Sequence, residues 1–135
     1  MAVAIRNEFG AIAINRIALN KMIIKQLLDM GDLLILCNKK GIPIKENPTP
    51  FIDNDYYDAV EVYEKNRVIK IRIYIIVILK SEKTILDIAE QIMDKIEEDF
   101  EMFKLEKPKK ISIYVKGVMT DYINKRNIEI VRRNA

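Results

Sequence analysis

At 135 residues, with 50% of them hydrophobic, the chain is sized for one domain with a real core. It carries 32% charged residues, a net charge of +3, no histidine and one cysteine, Cys37. That composition excludes an intramolecular disulfide, a Cys–His nucleophile, a histidine general base and a zinc site built from Cys and His.

The opening residues 1–8 lack a positive start followed by a long apolar core, so no signal peptide is expected. Gly10 to Ile14 alternates as a short strand. A helix is predicted from Arg16 to about Met30, because Ile17, Met22, Ile23, Ile24, Leu27 and Leu28 recur at helical spacing. Asn15 suits its N-cap and Gly31 its stop. Leu33 to Cys37 reads as a second strand, with Cys37 as a small buried hydrophobe, and a reducing cytoplasm fits the lone cysteine. Asn38 to Asp55 holds Gly41, Pro43, Pro48 and Pro50, and reads as a loop.

Tyr56 to Tyr63 alternates weakly and should pair with the next strand through a turn at Glu64-Lys65-Asn66. Arg67 to Ile78 is the strongest strand: Ile69, Ile71, Ile73, Ile75 and Val77 share one face, and Lys70, Arg72 and Tyr74 the other. The longest apolar run, Ile73–Leu79, is far short of the ~20 residues that span a bilayer, so no transmembrane segment is expected. A second helix starts at Thr84, which forms a capping-box pattern with Asp87. Ile85, Ile88, Ala89, Ile92, Ile96 and Phe100 form its apolar stripe, and Asp87, Glu90, Asp94, Glu97 and Glu101 the opposite face. Ile111, Ile113 and Val115 face the core from a last strong strand. From Met119 onward, Ile128, Ile130 and Val131 either add a strand or stay loose.

The order β-α-β-β-β-α-β describes an α+β fold, with two helices packed on one face of a mixed or antiparallel sheet. The single domain spans 1–135, with its core at about 10–118 and a basic C-terminal tail over 119–135. Charge is unevenly placed: the second helix is acidic apart from Lys95, and the chain from Lys104 onward is basic.

Chemistry is sparse. The glycines Gly10, Gly31, Gly41 and Gly117 are scattered, so no phosphate loop is present. Glu97, Glu98 and Glu101 approach one another at helical spacing, yet paired catalytic carboxylates need a pocket that shifts their pKa; a solvated acidic face is expected. No catalytic, metal-binding or cofactor-binding residue is assigned, and no cofactor is expected. The candidate interaction face is the sheet's open side: Lys70, Arg72, Tyr74, Ser112, Tyr114 and Lys116, joined by Tyr57, Glu61 and Tyr63. Bases interleaved with aromatics suit an RNA- or anion-binding module. An ordinary exposed sheet face or a homo-oligomer contact is the preferred explanation of them, and the absence of an RNP-type motif counts further against nucleic acid.

Three segments resemble the alkaline shock protein family, the cell-envelope stress response proteins of Gram-positive bacteria. They are Gly10-Ala11-Ile12-Ala13-Ile14, the run Val68–Ile75 with Ile85–Ile92 after it, and Ile111-Ser112-Ile113-Tyr114-Val115-Lys116-Gly117-Val118. The sequence departs from the family before the second helix, where Leu79-Lys80-Ser81-Glu82 stands in place of the usual Tyr-Gly pair, and at Gly31-Asp32-Leu33. The resemblance implies a small cytoplasmic protein without enzymatic activity, serving envelope or stress homeostasis. Its implied partners are a protein that can sit at the membrane and further copies of itself. Nucleic acid is the alternative partner, and peripheral membrane binding through the basic tail a third.

Overall fold

A computed structural model describes residues 2–7, 10–44, 54–66, 68–80 and 82–134, with backbone alone for 2–7, 10–16 and 54–55. Most of the expected loop, including Pro48 and Pro50, lies outside the described residues, as does Arg67 at the start of the strongest strand.

Strands β1 (Ala2–Asn7) and β2 (Gly10–Asn15) form an antiparallel two-stranded sheet with Ile5 opposite Ile12. The sequence reading missed β1, whose alternating positions carry two alanines and so little apolar contrast. Helix α1 (Arg16–Leu28) follows directly. It ends two residues before the expected Met30, because turn bonds from Met30 to Leu27 and from Gly31 to Leu28 replace the helical ladder.

The main sheet is mixed. Strand β5 (Val68–Ile78) is its hub, parallel to β6 (Lys110–Met119) on one side. Its other side holds two antiparallel strands end to end: β3 (Leu34–Leu36) opposite Ile75–Val77, and β4 (Val60–Lys65) opposite Val68–Ile73. They meet at Tyr74, whose N–H donates to the Ala59 carbonyl at 2.9 Å and whose carbonyl accepts from the Cys37 N–H at 3.2 Å. Strand β4 begins later than expected, because Tyr56 to Asp58 belong to a 3-10 turn. Its ladder runs through Glu64 and Lys65, and Asn66 takes the left-handed turn position at φ 53°.

The parallel β5–β6 pair requires a crossover, supplied by α2 (Ile85–Met102). The residues after Met119 are not a loose tail: β7 (Ile123–Arg133) pairs antiparallel with β6 along its length. It reads poorly as a strand because it lies at the sheet edge, where alternation is between half-buried and exposed rather than buried and exposed. Both helices share one core with the odd positions of β5 and β6: Leu19, Ile23, Ile92, Ile96 and Phe100 cluster with Ile71, Ile73, Ile75, Ile111 and Ile113.

Both ends of α2 are closed. The Asp87 N–H donates to Thr84 Oγ1 at 3.1 Å, and the Thr84 N–H donates to Asp87 Oδ2 at 3.0 Å, completing the capping box. At the far end the Leu105 N–H reaches the Phe100 carbonyl and the Lys104 N–H the Glu101 carbonyl, a Schellman stop. Lys104 holds the left-handed position there, at φ 56°, where glycine is favoured. Lys104→Gly is expected to stabilise the protein by about 0.5–1 kcal/mol, read as a higher midpoint of urea unfolding. A lower midpoint would mean that the lysine contributes more than its backbone costs.

Candidate functional site

Register brings the expected face together row by row. Lys70 lies opposite Lys110, Arg72 opposite Ser112, and Tyr74 opposite Tyr114. Strand β7 extends these rows with Arg133, Val131 and Glu129. Glu61 and Tyr63 join from β4, opposite Arg72 and Lys70. Tyr57 does not join: it precedes the strand, in the 3-10 turn, and packs against the main core.

The face is not uniformly open. From Val68 to Ile73 the residues of β5 alternate exposed and buried, but from Tyr74 to Ile78 all are buried. Tyr74, only 6% exposed, forms a second cluster with Cys37 and Ile76, against which Ile35, Tyr114 and Met119 pack. The Asn38–Ile42 turn lies against this end. Asn38 Oδ1 accepts from the Lys40 and Ile42 N–H groups, and Gly41, at φ 82°, sits so close to Lys116 that a Cβ there would lie 3.3 Å from the Lys116 Cβ. Lys116 itself stands where the register shifts on both sides of β6, and its Nζ donates to Asn127 Oδ1 at 3.3 Å.

The aromatic rings are occupied by their neighbours. Tyr74 and Tyr114 stack with centroids 5.1 Å apart. The Arg72 guanidinium lies 5.2 Å from the Tyr63 ring centroid, a cation–π contact. The Tyr63 hydroxyl donates to Glu61, whose other oxygen pairs with Lys39 Nζ at 2.9 Å. The Lys39–Glu61 hydrogen bond raises the Lys39 pKa, and burial raises that of the Tyr74 phenol. Beside the exposed Arg72 and Tyr63 runs the row Lys70, Lys110 and Arg133, with Lys110 half-buried, for which no acidic partner appears among the described residues. Lys110 went unnoticed in the sequence although it shares the parity of Ser112 and Tyr114; Arg133 required the β6–β7 register.

The acidic face of α2 is structural where it is engaged. Arg132 Nη1 contacts Asp94 Oδ1 at 2.8 Å and Glu97 Oε1 at 3.0 Å, and Lys107 lies 3.6 Å from Glu97. Asp99, buried, accepts from Gln26 Nε2 at 3.1 Å, which ties the two helices together. No group of three His, Cys, Asp or Glu side chains among the described residues is placed to hold a metal ion.

Cys37 is fully buried, and burial pushes its thiol from 9.0 to about 12, partly opposed by Lys116. The native thiol is therefore expected to resist a disulfide reagent at pH 8 and to react once urea unfolds the chain. The unfolded thiol ionises first, so this group's contribution to stability is full below pH 9 and falls as pH rises toward 12. Fast labelling of the native protein would overturn this placement.

No protein-family model, curated protein or solved structure matches the chain.

Proposed function

We propose that the protein is a non-enzymatic interaction protein, an adaptor akin to the alkaline shock proteins, serving envelope or stress homeostasis from the cytoplasm. In this reading it acts through a protein partner that sits at the membrane and through self-association. The observation that carries it is the mutual engagement of the reactive side chains: tyrosine stacks on tyrosine, arginine on tyrosine, and Glu61 bridges Lys39 and Tyr63. Such a set makes a fixed surface for contact rather than a pocket for turnover. Among the described residues no helix is long and apolar enough to cross a membrane; membrane association in this reading runs through the partner.

One observation favours a second reading. Lys70, Lys110 and Arg133 stand side by side across three strands, an arrangement in which like charges repel unless an anion sits among them. An RNA or other polyanion would supply it. Stacking of bases on Tyr74 and Tyr114 is disfavoured, because these rings already stack on each other and Tyr74 is buried.

Capture of the tagged protein from its source cells, with and without nuclease, separates the two. Envelope proteins that persist after nuclease treatment are expected. Partners lost on nuclease treatment, together with co-purifying RNA, would replace the adaptor reading with the polyanion one. In that case Lys70→Ala should weaken oligonucleotide binding at all sequences and lower the salt slope by about one.

A further inference from the structure

We propose that the cleft between α1 and the outer edge of β4 is a docking groove in which an extended segment of a partner protein adds a strand to β4. The proposal rests on the adaptor reading in requiring a protein partner, and it says where that partner binds.

Backbone parity opens the edge. The Tyr74–Ala59 bond fixes which residues of β4 face β5: Glu61, Tyr63 and Lys65 turn their N–H and C=O groups inward. Val60, Val62 and Glu64 therefore turn theirs outward. Asn20 of α1 satisfies one of them, its Nδ2 donating to the Val60 carbonyl at 3.1 Å. The backbone of Val62 has no outward partner among the described residues. Next to it lies a cleft of about 760 Å³ whose lining includes Ile17, Asn20, Lys21, Val60 and Val62, together with Glu61, which is already paired with Lys39.

One buried acceptor in the cleft points to an occupant that brings donors. Asn20 Oδ1 is buried without a hydrogen-bond partner. Its orientation is fixed, because the Nδ2 group is held by the Val60 carbonyl. Glu64 Oε2, also buried without a partner, lies outside this cleft, in the one lined by Tyr63, Lys65 and Val68 at the end of β4, and is no part of the groove. Unpaired buried acceptors are costly, and an added strand supplies an N–H at every second residue.

The walls describe the ligand. Ile17 is 58% exposed in the first turn of α1, a large aliphatic side chain left outside the core. Lys21 is exposed and has no acidic partner among the described residues. The fitting segment is extended, with an aliphatic residue against Ile17 and an acidic residue near Lys21. A second copy pairing through the same edge would set Lys21 against its own equivalent, which disfavours a twofold contact. The other edges differ. That of β3 is taken where the Ile44 N–H donates to the Leu36 carbonyl, and that of β7 carries Lys125, Arg126 and Arg133, which guard an edge against added strands.

The test pans a phage-displayed library of random linear dodecapeptides on the whole protein and measures the best peptide by fluorescence polarisation. Ile17→Glu should weaken it about tenfold or more, while Leu86→Glu on α2, equally exposed, leaves it unchanged. Val62→Pro removes the outward N–H and should abolish binding; where it disturbs folding, Ile17→Glu decides. Hydrogen exchange should slow at the Val62 amide on peptide addition and change little at Glu61 and Tyr63, which already lie in the ladder. No peptide enriched on the wild type over Ile17→Glu would overturn the proposal. So would a concentration-dependent dimer that Ile17→Glu abolishes, which would make the occupant a second copy. Envelope partners still captured from cells by Ile17→Glu would leave the adaptor reading standing without this groove; capture of none by either form removes the adaptor reading itself.

Discussion

One residue's backbone organises the sheet. Tyr74 gives its N–H to Ala59 and accepts from Cys37, so a single edge of β5 serves two strands in tandem. Every face follows from that bond. It fixes the parity of β4, hence the inward set of Glu61 and Tyr63 and the outward set of Val60, Val62 and Glu64. It places Cys37 beside the Tyr74 side chain, and so brings the Asn38–Ile42 turn over the far end of the open face. Above that junction β5 is buried on both sides; below it β5 presents one wet face.

Charge is sorted by element. Of the two helices only α2 exposes acids, α1 exposing Lys21 and Lys25 instead, and one cation from the sheet, Arg132, reaches round to bind Asp94 and Glu97. These partly buried pairs join β7 to α2. The fold is held by the isoleucine-rich core between the helices and the odd positions of β5 and β6. The opposite face is left with cations in a row and with aromatics already matched to one another. Its arrangement is set by these mutual contacts.

The elements legible in the sequence were those whose periodicity is complete. Strand β5 alternates without a break on its core side, and α2 carries a full apolar stripe together with its capping box. Strand β7 was undecidable because an edge strand is only half buried, and its Ile128, Ile130 and Val131 lack a run of strong contrast. Tyr57 was misplaced because a 3-10 turn and a strand look alike over three residues. Lys110 was within reach of parity; Arg133 was not.

The sequence by itself determined which side chains share a face within each element, because alternation of period two or 3.6 is a local property of the backbone. It also determined the absence of histidine chemistry and the separation of acidic helix from basic C-terminal strand. Only the tertiary structure decided which strands share an edge, that Lys70, Lys110 and Arg133 line up, and that Asn20 meets Val60 beside an open groove. These depend on hydrogen bonds between backbones far apart in the chain, and backbone groups are the same in every non-proline residue, so no local pattern records their partners.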